Sequence, residues 1–411
     1  MQQKDADVQN IAIFQVRSLN TKALNELSSR LSTLPVPQQV ALLRALANRG
    51  DSSQREVALK ATRSKNETVQ QAGLKALARL GNASDVPMLL EVMFANSAIL
   101  QAAQHALQNI HGEGVNDNII LAMKKAKAAK LRKTLIDVLA VRRVAAALPV
   151  LLKETVCDEA PLRTSAMSAL REIAEPKDVP KLIPGWPKAQ QGNERRNAER
   201  TILTVCGRIL EPTNRPEIIL VAITPENKAA LLPLLGSMGG PKTLALTREA
   251  LDSKSPKLYE AGVVALSNWP NAKVSADLLR LARTAREPNL HRLAFRNLIR
   301  VNAIQNTETP KTDRLRMLKD AMKLANTFPK KKQVFAGLSK VRDIQTLRYV
   351  LPYLKDKELA QVACRTIVEL AHSRNLRRPN QKEFIQAPNQ VLAICDDDRL
   401  IERARKYKVD F

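Results

Sequence analysis

The chain has 411 residues, with 66 Lys and Arg against 40 Asp and Glu, a formal net charge of +26. Aromatic residues make up only 3%, too few for the stacking platforms on which single-stranded nucleic-acid binders lay their bases. No apolar run approaches the roughly twenty residues that a membrane-spanning helix needs. A positive field of this size attracts polyanions (nucleic acid, anionic headgroups, acidic proteins or polysaccharides), the plainer reading being a solvated basic surface.

In chain order, Met1–Val8 is polar and has no signal-peptide core, so the sequence as it stands reads as cytoplasmic, and as exported if a leader was removed. From there a segment recurs about every thirty residues. Gln71–Leu90 (QAGLKALARLGNASDVPMLL) aligns with Thr164–Ile183 (TSAMSALREIAEPKDVPKLI) and Glu260–Leu279 (EAGVVALSNWPNAKVSADLL). Taking Leu80 as a marker for the end of the second helix of each unit, the equivalents are Arg49, Ile110, Arg142, Ile173, Val205, Met238, Trp269, Val301, Val341 and Leu370. Arg49 and Arg142 break the apolar rule at this slot and are placed by aligning their whole segments. The one long step, between Val301 and Val341, contains Gln305–Asp313, which reads as an inserted polar loop.

Within a unit, Gly73, Leu74, Leu77 and Leu80 share a helix face while Lys75 and Arg79 point away. Small residues one to two turns earlier (Ala72/Gly73, Ala102/Ala103, Ala261/Gly262, Ala294) predict close helix approach. Gly81 and Gly239 sit where a helix would end in a left-handed residue. Asp85 and Asp178 read as N-caps, with Pro87 and Pro180 opening the next helix.

Lys124–Lys133 carries six bases and no acid, and Arg280–Arg348 seventeen bases against five acids. The candidate binding residues are therefore Lys124, Lys125, Lys127, Lys130 and Arg132 in the first block. In the second they are Arg292, Arg296 and Arg300 along one helix, then Lys330, Lys331 and Lys332. The slot of Lys75 holds Arg44, His105, Arg200, Arg296 and Arg365 in other repeats, and Asp137, Ser168, Pro233, Val264 or Ala336 in the rest, a patchy basic ridge. Trp186, in the Pro/Gly-rich break Ile183–Lys188, is a candidate exposed anchor for a partner or else a plug over a helix pair; Trp269, on the marker slot, belongs to the core.

Chemistry is hard to find. Gly236–Thr243 (GSMGGPKT) imitates a phosphate loop, but Pro241 stands where Gly is needed, and no strand precedes it. His105, His111, His291 and His372 lack companions at ligand spacing. Cys157, Cys206, Cys364 and Cys395 form no C-x-x-C pair, although Cys364 and Cys395 are one repeat apart. Asp396–Asp398 reads as a short charged loop before the last helix, or equally as the N-cap of that helix, Arg399–Lys408, rather than a cation site. No catalytic or metal-ligating constellation emerges, so no enzyme activity and no cofactor are expected.

The pattern resembles the short, roughly thirty-one-residue variety of HEAT-like repeats, and the resemblance covers nearly the whole chain. Ser275–Ala371 in particular looks like the HEAT-repeat proteins of planctomycetes and related bacteria, some of which are exported. It implies an all-α, right-handed superhelical solenoid of about eleven helix pairs. This would be one domain over 1–411, with caps at 1–35 and 372–411 flanking repeats at 36–371. It also implies a non-enzymatic scaffold with a protein partner, an acidic one given the charge. The alternatives are nucleic-acid or other polyanion binding through phosphate or sulfate contacts, and a lyase-type or chaperone subunit by fold-level analogy.

Overall fold

The computed structural model describes residues 15–95, 99–305 and 308–410; the polar N-terminus and positions 306–307 of the inserted loop lie outside them. The described residues form helices and short 3-10 turns, with no strand among them. The chain divides into two units, Met1–Arg208 and Ile209–Phe411, each a stack of helix pairs.

In the first unit the second helices are Val36–Arg49, Glu67–Leu80, Leu100–Asn109, Ala129–Val141, Ala160–Ile173 and Asn193–Cys206, each packed on the next. Behind them lie Arg55–Ala61, Val86–Ala95, Val115–Lys125, Leu148–Glu154 and two short helices, Val179–Leu182 and Gly185–Lys188. In the second unit Pro225–Met238, Pro256–Asn268, Pro288–Ala303, Phe328–Leu338, Ala360–Ala371 and Asp398–Tyr407 form the corresponding ladder. Every marker residue lies at, or within three residues of, the end of its second helix. The fold is an all-α solenoid.

The amphipathic reading of Glu67–Leu80 holds: Val69, Leu74, Leu77 and Leu80 are buried, and Lys75 and Arg79 are exposed. Small residues do set the approach of neighbouring helices. A Cβ on Gly73 would lie 2.9 Å from the backbone and Cβ of Ala61. Gly81 corrects the expectation of a left-handed helix end: its backbone is extended (φ −77°, ψ 172°). Glycine is needed there for space, because a Cβ would sit 2.7 Å from the Leu77 carbonyl and 2.8 Å from Ile110 of the next repeat. Gly239 does take a positive φ, +76°, although its ψ of −151° lies outside the left-handed helical well. Asp178 holds the expected N-cap position of Val179–Leu182 but makes no side-chain cap bond there, and Asp85, like Asp178, turns its carboxylate back to the preceding turn. Each is the third residue of a 3-10 turn and accepts the backbone N–H three residues earlier, from Asn82 (2.9 Å) and Glu175 (3.2 Å), closing a capping box. Asp85 is buried and also accepts a bidentate pair from Arg55, at 2.9 and 2.6 Å, which supplies the partner a buried carboxylate requires.

The arginines at the apolar marker slot have a structural reason. A helix leaves its last four carbonyls without intrahelical donors, at the negative end of its dipole. Arg142 donates from Nη1 to the carbonyls of Leu107 (2.9 Å) and Ile110 (2.7 Å) at the end of the preceding second helix, and from Nε to Asn116 (2.8 Å). Arg49 reaches the carbonyls of Val16 (3.0 Å) and Leu19 (2.6 Å), in and just after the 3-10 turn Val16–Ser18. Arg208 clasps Arg171 and Ala174, and Arg300 clasps Ser267 (2.9 Å) and Trp269 (2.7 Å). Each clasp joins one repeat to the one before it. Burial pulls the Arg142 and Arg300 guanidinium groups below their usual pKa, as desolvation of a cation must.

Replacing Arg142→Ala should therefore destabilise the chain by about 1–3 kcal/mol, the cost of orphaning buried acceptors. Lys125→Ala, on an exposed helix end, should stay within about 0.5 kcal/mol. Urea unfolding with hydrogen exchange checks this; protection in Leu100–Asn109 should fall first. An Arg142 variant as stable as the Lys125 variant would sink the clasp.

Candidate binding grooves on the second helices

Helix periodicity puts the Lys75 slot on the solvent side of each second helix, opposite the buried stripe. In the first unit three consecutive slots, Arg44, Lys75 and His105, line one groove of about 560 Å³. Arg79, Asn109 and His111 join them, and Ala47, Ala72 and Ala76 contribute small side chains to the same surface. No Asp or Glu lines the groove. Lys75 and Arg79 are one turn apart on the same helix, a like-charge pair that costs a few tenths of a kcal/mol. Among the described residues, Arg44, Lys75 and Arg79 have no salt-bridge partner. An anion in this groove would relieve that repulsion.

The second unit repeats the arrangement between Pro288–Ala303 and Phe328–Leu338. Arg292 and Arg296 from the first helix and Lys330 from the second line a groove of about 380 Å³, with Asn289, Gln333, Leu293 and Phe295. Arg296 occupies the Lys75 slot, and Arg292 again stands one turn away. Both are exposed, and neither has a salt-bridge partner among the described residues. Lys330 Nζ lies 5.6 Å from the Phe295 ring centre and donates to Asn326 at 3.2 Å.

The other sequence candidates fall outside these grooves. Lys124, Lys125, Lys127 and Lys130 are exposed around the turn between Val115–Lys125 and Ala129–Val141. Arg132 is held by Glu154 and, at 3.4 Å, by Glu159, and its hydrogen bond to Glu154 raises its pKa. Arg300 is a clasp, not a free surface charge, because its guanidinium is drawn down onto the helix-end carbonyls. Lys331 pairs with Glu358 at 3.0 Å, and Lys332 is exposed beside the groove without lining it. Of the remaining ridge, Arg365 lies 3.5 Å from Asp397, which itself caps the last helix by accepting from the N–H groups of Arg399 and Leu400.

Trp186 is not an exposed anchor. It is 5% exposed, inside a helical turn over Gly185–Lys188, with the Arg195 guanidinium 4.9 Å from its ring centre. Gly185 makes this seat possible, since a Cβ there would lie 2.4 Å from Met167. Arg79, His111, Asn289, Gln333 and Phe295 were not singled out by the repeat. Of these only Arg79 carried a signal, one turn from Lys75 on the outward stripe.

Other chemistry stays quiet. Gly236–Thr243 is a helix end, a turn and the start of Pro241–Asp252. Among the described residues, no group of three His, Cys, Asp or Glu is placed to hold a metal ion. Cys206, Cys364 and Cys395 are buried thiols. Burial, aided by neighbouring Cys395, pushes the Cys364 thiol up to about 12 and keeps it protonated.

No protein-family model matches the chain, and no curated protein matches it in sequence. Among solved structures, Kap121p matches 97% of this chain over 50% of its own length, with a TM-score of 0.54 and 12% identity. A structure of importin beta matches 99% of this chain over 59% of its own length, with a TM-score of 0.44 and 12% identity. The chain thus spans about half the length of the solenoids it resembles. The likeness to Kap121p is one of fold, that of the HEAT-type α-solenoids.

Burial of Trp186 makes it a stability residue. Trp186→Ala should cost about 3–5 kcal/mol, the range for large core truncations. In the intact chain both tryptophans should resist iodide quenching until unfolding. Free quenching of one tryptophan in the native protein would restore the exposed-anchor reading.

Proposed function

We propose that this chain is a non-enzymatic interaction scaffold whose second-helix grooves hold an acidic segment of a protein partner. The observation that carries the reading is the first-unit groove. Three repeat-equivalent basic positions and Arg79 line it, and it has no carboxylate of its own. A solvated surface has no need to exclude carboxylates from a recess or to set cations one turn apart. A recess of this volume, with small apolar side chains beneath a basic rim, suits a peptide better than a duplex, whose phosphates call for cations spread along a longer surface. The scarcity of aromatics argues in the same direction. Kap121p has been crystallised with Pho4p and with the extreme C-terminus of Cdc14p; for the present chain the grooves, not that precedent, support the reading. No described helix is long and apolar enough to cross a membrane.

A fluorescein-labelled Asp/Glu-rich peptide should bind the full chain at low salt and weaken as salt rises. Lys75→Glu with Arg79→Glu should lower its affinity at least about tenfold, or 1.4 kcal/mol, with unfolding midpoints unchanged. The comparison ligand is a duplex of about 30 base pairs, whose binding would show a steep salt slope if phosphate contacts dominate. If the duplex binds more tightly than the peptide and loses affinity through the same two substitutions, the polyanion reading replaces the scaffold.

A further inference from the structure

The two grooves differ in a way that charge alone does not capture. In the first unit the two guanidinium groups, Arg44 and Arg79, stand on different helices in a wider recess of about 560 Å³, which they share with Lys75 and two histidines. In the second unit two guanidinium groups one turn apart and an ammonium from the neighbouring helix line a single recess of about 380 Å³, with the amides of Asn289 and Gln333 beside them. We infer that this second groove recognises a phosphorylated side chain on a peptide. The inference rests on the scaffold reading and narrows it at one site.

Most arginines around the groove already have a role. Arg248 pairs with Asp277 (2.9 Å), and Arg286 stacks on Tyr259 (4.1 Å) and donates to the Ser253 carbonyl. Arg300 and Arg314 hold helix-end carbonyls, and Arg348 pairs with Glu383 (2.6 Å). Arg292 and Arg296 have no such role. They stay exposed, with their donors free for a ligand. Each carries a planar fork of N–H donors matched to phosphate oxygens, and Lys330 adds a point charge from across the groove. Three cations with no carboxylate among the lining residues leave about three positive charges to be balanced in one recess. A phosphoryl group brings a charge of about −1.5 to −2 and three acceptor oxygens to one point, where a carboxylate brings −1 and two. Nucleic-acid phosphates are monoanions strung along a strand, so they distribute charge that this recess collects. Leu293 and the ring of Phe295 supply an apolar wall for the carbon chain that bears the phosphate.

The test uses the full chain and three peptides of one acidic sequence with Ser, phosphoserine or Asp at the centre, read by calorimetry. The phosphoserine peptide should bind at least about tenfold more tightly than the Asp peptide. Arg292→Lys with Arg296→Lys keeps the charge but removes the forks; it should leave Asp-peptide affinity nearly intact and abolish the preference. Lys75→Glu should not alter the preference. Because the second phosphate pKa is about 6, the preference should shrink as pH falls from about 7.5 to about 5.5, while the Asp peptide, still ionised, changes little. The groups facing the ligand are Arg292 and Arg296 on one helix and Lys330 on the other. Neighbouring His291 does not line the groove; its Nδ1 lies 3.3 Å from the Ala282 carbonyl. Equal binding of the phosphoserine and Asp peptides would overturn the phosphate inference and leave the scaffold reading standing. Failure of all three peptides to bind would overturn both. A preference that survives the double lysine variant would place phosphate recognition elsewhere and overturn the assignment.

Discussion

The carbonyls at the end of each second helix have no donor within the helix and lie beside the next repeat, where water cannot freely replace one. Arginine meets this demand because one terminal NH2 of its guanidinium (both, in Arg208) reaches two carbonyls three residues apart, or nearly so, and its charge suits the negative end of the dipole. Arg142, Arg208 and Arg300 each do so for the repeat before them, and Arg49 for the 3-10 turn Val16–Ser18. The end of the Pro288–Ala303 helix is held from a different side, by Arg314 of Lys311–Leu324 acting on Ile304 (2.5 Å). The position of the donor varies while the demand stays constant. At these junctions the helix-end carbonyl, rather than a fixed arginine slot, decides where the donor is needed.

A part of the positive charge of the chain is thereby absorbed into the fold. Other cations are drawn into ion pairs that bridge repeats, as with Arg55 on Asp85 or Arg163 on Glu194 (2.7 Å), whose side chains are 6% and 10% exposed. Buried pairs of this kind contribute little net stability beside an apolar contact of the same volume, but losing one partner strands a charge. They hold register more than they add energy. The net charge of +26 is therefore a poor guide to function by itself. Its useful part is the subset that no carbonyl, carboxylate or ring has claimed.

The repeat was legible because apolar periodicity follows from burial, and burial in a stack recurs with the unit. Leu80, Ile173 and Met238 end their helices where the pattern placed them. Arg49 and Arg142 fell on the same slot without an apolar side chain, since hydrogen-bonding demand at a helix end leaves no periodic hydrophobic trace. For Trp186 the sequence leaves exposed anchor and plug both open, and its burial favours the plug. A Pro/Gly-rich stretch reads as an exposed break, but here Gly185 admits Met167 so closely that the tryptophan beside it turns inward. Gly81 was right in identity and wrong in cause, because a sequence does not show whether glycine serves dihedral freedom or close approach. For the grooves, the ridge of Arg44, Lys75 and His105 was visible as repeat-equivalent positions. The contributions of His111, Phe295 and Gln333 come from loops and neighbouring helices, and depend on distances that only the folded chain sets.

What marks the grooves is a local disagreement with helix stability that, unlike the like-charge turn of Arg196 and Arg200, opens onto a recess free of carboxylates. Lys75 with Arg79, and Arg292 with Arg296, put like charges one turn apart, where an acid would have added support. Elsewhere the same spacing is used favourably, as in Lys133 with Asp137 (2.9 Å) and Arg30 with Glu26 (3.1 Å). The chain thus contains the stabilising solution and does not use it at these two places. Departures from local consistency that bring no gain in packing or hydrogen bonding concentrate where a protein meets something else. Both departures lie on the second-helix row, both include the Lys75 slot or its equivalent, and both open onto a recess free of carboxylates. An anionic ligand would supply the opposite charge that the helices themselves omit.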